Sequence, residues 1–135
     1  MKFVPAPKYS KEDLIACGNG DLFGPGNGRL PADEMLMFDS IVQIDETSGK
    51  YPKGRIVANF NIHESQWFFK VHWKNDPNMP GMLQIESLVQ MSALSILTLD
   101  GNKGKTMYLV NANNLRFFKK ILKSLDKYVL PSTVR

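Results

Sequence analysis

The segment from residue 72 to residue 90 carries side chains that could move protons. It reads HWKNDPNMPGMLQIESLVQ and joins His72, a proline-bracketed turn and an apolar helix with a single carboxylate, Glu86. Histidine is the usual general base near neutral pH, and apolar surroundings favour a neutral carboxylic acid that can donate a proton. The alternative for a histidine is a structural role, which we expect for His63. The alternative for Glu86 is a salt bridge to a neighbouring residue or exposure to solvent. His72 and Glu86 are therefore candidates for a base and an acid.

The turn between these two residues predicts a backbone donor. Two prolines fix φ angles in the turn, and Gly81 can bring its N–H close to a ligand at a helix N-terminus, where negative charge is favoured. Gln90 lies one helical turn beyond Glu86 and could orient its carboxyl group. A base, an acid and an oxyanion donor can eliminate water from a 3-hydroxyacyl thioester. His72 would take the C2 proton, the Gly81 N–H would stabilise the thioester oxygen, and Glu86 would protonate the departing hydroxyl.

The elements around this segment predict an α+β protein. We expect a short helix from Ser10 to Cys17 that ends at Gly18, followed by paired antiparallel strands over residues 35–47 and 54–62. Residues 66–73 and 105–118 are also strand-like, whereas the tail has no clear strand signal. The helix that begins near Pro80 or Gly81 and runs to about residue 99 is apolar all round, which predicts a buried helix. This order of elements predicts a sheet that wraps around one helix.

The composition fits one domain over residues 1–135 in a reducing compartment. The chain has 135 residues, a net charge of +4 and one cysteine, Cys17. The first ten residues have no secretory signal, and polar groups in the long helix argue against a membrane span, so we expect a cytoplasmic protein. His63 and His72 lack the spacing of metal ligands, and no metal or other cofactor is expected. Nucleic-acid binding by a late lysine cluster is a weaker alternative to a solvated surface. That cluster comprises Lys119, Lys120, Lys123 and Lys127.

A resemblance sharpens this interpretation. The signature reads His72-Trp73-x-x-Asp76-Pro77-x-Met79-Pro80-Gly81-x-Leu83, followed by Glu86 and Gln90. With the flanking segments YSKEDLIACGNGDLFG, LPADEMLMFD and KGRIVANFNIHESQWFFKVHW, it resembles the hotdog-fold 3-hydroxyacyl-(acyl-carrier-protein) dehydratases over roughly residues 9–118. The FabA type, 3-hydroxydecanoyl dehydratase/isomerase, is the most similar.

The resemblance implies a hotdog fold, in which the sheet wraps the long helix, and a homodimer with shared active sites. His72 would come from one chain and Glu86 from the other, and the carbonyl of Asn78 would hold the His72 ring. The acyl chain would lie along the helix on the phosphopantetheine of an acidic acyl carrier protein, which agrees with the positive charge of this chain.

Two departures from the FabA pattern bear on activity. Glu86 stands where the FabA type usually has Asp and the FabZ type has Glu, which leaves isomerase activity open. Related domains also occur in polyunsaturated fatty acid and polyketide synthases.

The second departure is at the C-terminus. The family continues with further strands beyond residues 116–117, so C-terminal strands are expected to be missing. A non-catalytic acyl-binding or assembly subunit of hotdog fold is the alternative function.

Overall fold

The computed structural model describes residues 6–48, 54–97, 104–105, 109–123 and 127–133. Its elements, in chain order, are α1 (Lys11–Asn19), a 3-10 turn (Asp33–Met35), β1 (Ser40–Asp45), β2 (Arg55–Asn61), α2 (Trp67–Val71), α3 (Gly81–Leu97) and β3 (Lys127–Thr133). The α+β class predicted from the sequence is confirmed. The predicted end of the long helix near residue 99 lies outside the described residues.

The strands form an antiparallel sheet in the order β1-β2-β3. The predicted pairing of the first two strands is confirmed, with Ser40 opposite Asn59 and Asp45 opposite Arg55. The register shifts between Ile41 and Gln43, as at a β-bulge. β2 is the central strand because its other edge pairs with β3 along its whole length.

The core lies between this sheet and the helices. α3 contacts β2 and β3 and contributes Met91 and Leu94, which are fully buried. The sheet contributes Ile56 and Ala58 from the central strand, also fully buried. The prediction that α3 is buried all round is wrong for the single chain, because Met82 is 70% exposed. None of the helices in the described ranges is long and apolar enough to cross a membrane.

The first helix begins where the sequence predicts but ends later. The Ser10 hydroxyl accepts the Asp13 N–H, and the Asp13 carboxylate accepts the Ser10 N–H at 2.8 Å, which completes a capping box. The predicted end at Gly18 is wrong. Gly20 ends the helix with φ of 90°, and its N–H donates to the Cys17 carbonyl at 3.1 Å. Both glycines can terminate a helix, but only Gly20 takes the left-handed conformation that closes the last turn.

Residues 66–73 were expected to form a strand, and this prediction is wrong. They contain helix α2, in which the adjacent side chains of Phe68 and Phe69 are both buried, with ring centroids 4.6 Å apart. Adjacent side chains in a strand point to opposite faces, so a strand would send only one of these rings into the core. Packing of both rings therefore overrides the strand preference of aromatic residues.

The strand assignment in the C-terminal part is also wrong. The described part of residues 105–118 contains no strand, and Asn114 interrupts it with φ of 55°. β3 lies instead in the tail, where no strand was expected. Strand formation here depends on which segment reaches the free edge of β2, and a local pattern carries little information about that choice.

The turn after β1 predicts a pH-dependent contribution to stability. Oδ1 of Asp45 accepts the N–H groups of Thr47 at 2.8 Å and Ser48 at 2.9 Å. These backbone hydrogen bonds hold the pKa of Asp45 at about 2. This pKa lies below the value of about 3.9 expected for Asp45 in the unfolded chain. Asp45 therefore contributes fully to the free energy of unfolding above about pH 3.9, and this contribution is lost as the pH falls through the folded pKa.

We therefore expect Asp45→Ala to lower the free energy of unfolding at pH 6, with a difference from the unsubstituted protein that shrinks below about pH 4. Urea denaturation at several pH values measures this difference. Asp21→Ala, at an exposed carboxylate, is the matched control. A difference for Asp45→Ala that stays constant down to pH 2 would contradict the prediction.

Candidate active site

His72 lies at the C-terminal end of α2, where its ring is held by the following turn. Its backbone N–H donates to the Phe68 carbonyl at 3.1 Å. Its Nδ1 lies 3.0 Å from the carbonyl oxygen of Asn78, the contact that the resemblance implied. A carbonyl oxygen only accepts hydrogen bonds, so Nδ1 carries the proton of the neutral ring. Nε2 therefore keeps its lone pair and is the nitrogen that can act as a base.

The turn that presents the Asn78 carbonyl is fixed from two sides. Asn78 is buried, and its side-chain amide donates to the carbonyl of Asp76 at 2.9 Å. The next residue, Met79, donates its N–H to the Ile121 carbonyl at 2.8 Å. The Asp76 carboxylate accepts a hydrogen bond from Lys120, which lowers the pKa of Asp76. The chain after residue 116 thus braces the turn that orients His72.

Gly81 is the first residue of α3, as predicted. Within the described part of the chain, its N–H has no hydrogen-bond acceptor. It borders a cavity of about 320 Å³. The other lining residues are Asn78, Met79, Gln84, Phe117, Phe118, Lys119 and Lys120. A free N–H at a helix N-terminus beside an open cavity can donate to an oxygen atom that gains negative charge.

Glu86 is oriented by Gln90, one helical turn later. Gln90 is 3% exposed, and its Oε1 accepts the Met37 N–H at 2.9 Å. Its Nε2 donates to the Met35 carbonyl at 2.7 Å and to Glu86 Oε1 at 2.8 Å. The backbone contacts fix which end of the Gln90 amide faces the carboxyl group. Glu86 therefore receives a donor on Oε1, while Oε2 is left for another partner.

The residues fall into two groups within one chain. His72 contacts Asn78 in the turn before α3, whereas Glu86 contacts Gln90, which is bonded to the segment before β1. No hydrogen bond or ion pair joins His72 to Glu86 in the part of the chain that the structure describes. Positions 81 and 86 of a helix point about 140° apart around its axis. We refer to these two groups of candidate residues as the two half-sites.

A match to a family of known proteins identifies the family of this chain. The model of the FabA-like domain matches residues 30–131, about three quarters of the 135 residues. The chain belongs to the FabA-like family. The matched range contains both half-sites and runs from before β1 into β3.

Membership in the FabA-like family agrees with the observed fold. These proteins are hotdog-fold dehydratases of fatty acid synthesis, and the antiparallel sheet against one long helix is the hotdog arrangement expected from the sequence. The family implies an enzyme of the dehydratase/isomerase kind. Among the described residues, no three His, Cys, Asp or Glu side chains are grouped to hold a metal ion.

Some of the contacts at this FabA-like site could not be anticipated. Gln90 was expected to contact Glu86, but its backbone partners at Met35 and Met37 lie more than fifty residues earlier in the chain. Phe117 lies beside Gly81, although its surroundings in the sequence resembled an ordinary strand. No local signal marks either contact, because both arise where segments distant in the sequence meet.

The Gln90 contacts predict a measurable loss of stability on substitution. Gln90→Leu should lower the free energy of unfolding by about 1–3 kcal/mol, because the Met37 N–H loses its buried acceptor. Chemical denaturation measures this change, and Gln43→Leu on the exposed side of β1 is the control. Equal stabilities of the two variants would contradict the prediction.

Proposed function

We propose that this chain is a 3-hydroxyacyl-(acyl-carrier-protein) dehydratase, which converts a 3-hydroxyacyl thioester into the trans-2-enoyl thioester and water. The observation that carries the proposal is the hydrogen bond from His72 Nδ1 to the Asn78 carbonyl at 3.0 Å. It leaves Nε2 unprotonated and ready to accept a proton. The acyl group is carried by acyl carrier protein, whose acidic surface suits a chain with a net charge of +4.

The reaction needs two proton transfers that the two half-sites can supply. Nε2 of His72 takes the proton from C2, and the electron pair of that bond forms the C2=C3 double bond as the C3–O bond breaks. Glu86, in its carboxylic acid form, gives its proton to the departing hydroxyl, which leaves as water. The Gly81 N–H donates to the thioester oxygen while negative charge develops there. Proton exchange with water then resets His72 and Glu86.

The Gln90 contact supports a specific proton position on Glu86. The Gln90 Nε2 group can only donate, and a carbonyl oxygen is a better acceptor than a hydroxyl oxygen, so Oε1 is favoured as the carbonyl oxygen when Glu86 acts as an acid. The acidic proton then lies on Oε2. Gln90 thereby acts as a positioning residue for the proton donor, and His72 and Glu86 are the catalytic residues.

The separation of the half-sites supports a homodimer in which each site uses both copies. No hydrogen bond or ion pair joins His72 to Glu86 within one chain over the described residues, and the proposed reaction needs both beside the same substrate. Met82 lies one turn before Glu86 on the same helix face and is 70% exposed. A second copy that covers this face would bury Met82 and bring Glu86 to the first copy's His72.

The proposal is tested with 3-hydroxydecanoyl thioester as substrate. We expect the purified protein to form the 2-enoyl product. Chromatography that separates the 2-enoyl and 3-enoyl products also shows whether this chain, with Glu86 in place of Asp, isomerises the double bond. Thioester binding without any product would instead support the non-catalytic acyl-binding alternative. Absence of both binding and product would overturn the proposal.

A further inference from the structure

Phe117 lies against the oxyanion donor of the proposed site. It begins a segment, residues 117–122, that crosses the turn before α3. This segment is held by the hydrogen bond from the Met79 N–H to the Ile121 carbonyl and by the bridge between Asn78 and Leu122. The backbone that carries the Phe117 ring is thus attached to the same turn that orients His72.

The space between Phe117 and Gly81 is smaller than one carbon atom. A Cβ added at Gly81 would lie 2.9 Å from Cζ of Phe117 and 3.1 Å and 3.2 Å from its Cε1 and Cε2 atoms. Carbon atoms in contact ordinarily lie about 3.5–4.0 Å apart. The three nearest atoms form the far end of the ring, and their similar distances place the added carbon over the ring face near Cζ.

We propose that Phe117 is a specificity-determining residue that restricts this site to thioesters without a branch at C2. The inference deepens the proposed dehydratase function and rests on it. When the thioester oxygen accepts the Gly81 N–H, the carbonyl carbon lies beside Gly81 and C2 is one bond further. A methyl group on C2 is therefore the first substituent to meet the Phe117 ring. An unbranched C2, which carries only hydrogen atoms, fits beside the ring.

The neighbouring Phe118 offers a matched control. It is the same residue type in the same segment and also borders the cavity, but it is 86% exposed, against 53% for Phe117. The atoms that crowd Gly81 belong to Phe117. Phe118→Ala removes as much aromatic surface as Phe117→Ala without opening the space at Gly81.

The kinetic test compares 3-hydroxybutyryl thioester with its 2-methyl derivative. We expect the kcat/KM ratio of unbranched to branched substrate to be about 10-fold or more in the unsubstituted protein, since one carbon in a tight pocket is worth about 10–200-fold. Phe117→Ala should reduce this ratio towards unity by raising turnover of the branched substrate, while Phe118→Ala should leave it unchanged. An unchanged ratio in Phe117→Ala would overturn the proposal.

A binding test separates failure of this proposal from failure of the dehydratase function. Calorimetry is performed with butyryl and 2-methylbutyryl pantetheine, which lack the 3-hydroxyl group and cannot lose water. At least tenfold weaker binding of the branched thioester, abolished by Phe117→Ala, supports the specificity role even if no dehydration is found. Equal binding of the two thioesters overturns the role of Phe117 and leaves the dehydratase reaction standing. Binding of neither compound overturns both.

The contact itself is tested by a double-mutant cycle. Gly81→Ala places a carbon within 2.9 Å of the Phe117 ring and should lower the melting temperature. Adding Phe117→Ala should restore a large part of the loss, whereas adding Phe118→Ala should restore none. Additive effects of Gly81→Ala and Phe117→Ala would show that the two positions do not crowd each other and would overturn the proposal.

Discussion

Replacement of His72 by alanine should lower kcat/KM for dehydration of a 3-hydroxyacyl thioester by about 10²–10⁴-fold, the usual contribution of a positioned general base. The Asn78 carbonyl engages Nδ1 and leaves Nε2 of the neutral ring as the acceptor, whereas alanine has no group that can accept the C2 proton. Steady-state kinetics with 3-hydroxydecanoyl thioester measures the loss. The effect should fall on kcat, because the imidazole acts in the transition state.

The chain supplies its own control for this substitution. His63 is exposed in the loop after β2, so His63→Ala removes an imidazole outside the proposed site and should leave kcat/KM unchanged. Exchange of C2 deuterium with solvent adds a second readout, since the proposed base removes that atom and His72→Ala should stop the exchange. Full turnover by His72→Ala would remove His72 from the base role.

Glu86→Gln should cause a loss of similar size, about 10²–10⁴-fold in kcat. Glutamine has nearly the same shape, and its carbonyl oxygen can still accept the Gln90 amide, but it has no acidic proton for the departing hydroxyl. Retention of the fold is checked by thermal melting. Glu64→Gln, at an exposed carboxylate between β2 and α2, should behave as the unsubstituted protein. Normal kcat in Glu86→Gln would exclude Glu86 as the acid.

Mixing the two inactive variants tests whether the site is shared. In a mixed dimer of His72→Ala and Glu86→Gln chains, one site loses both groups and the other site keeps both. Random exchange of subunits should therefore recover about a quarter of the activity, because half of the dimers are mixed and each has one intact site. If His72 and Glu86 of the same chain formed the site, mixing would restore nothing.

The family match and the geometry make different contributions to this view of the protein. The FabA-like match over residues 30–131 assigns the dehydratase family but does not distinguish the FabA type from the FabZ type. The geometry adds which nitrogen of the neutral His72 ring carries the proton and how the Gln90 amide is oriented, both of which follow from contacts to backbone atoms. The kinetic predictions take their reaction from the family and their residue roles from those contacts.

Features that depend on neighbouring residues could be predicted from the sequence. The Ser10 capping box needs only residues three positions apart, and the contact between Glu86 and Gln90 needs only one helical turn. Short separations leave few alternative geometries, so residue type and spacing determined these two contacts. The hydrogen bond from His72 to Asn78, in contrast, was expected only from the resemblance to the family.

Features that depend on distant segments were decided by the tertiary structure. The aromatic residues of α2 are strand-prone, yet burial of two adjacent rings required a helix. The free edge of β2 paired with residues 127–133 rather than with residues 105–118. The same holds for the Gln90 contact with the segment before β1 and for the Phe117 ring beside Gly81. The free energy of each arrangement comes from burial and hydrogen bonding between segments far apart in the chain, and residue spacing along the sequence does not encode which of those segments meet.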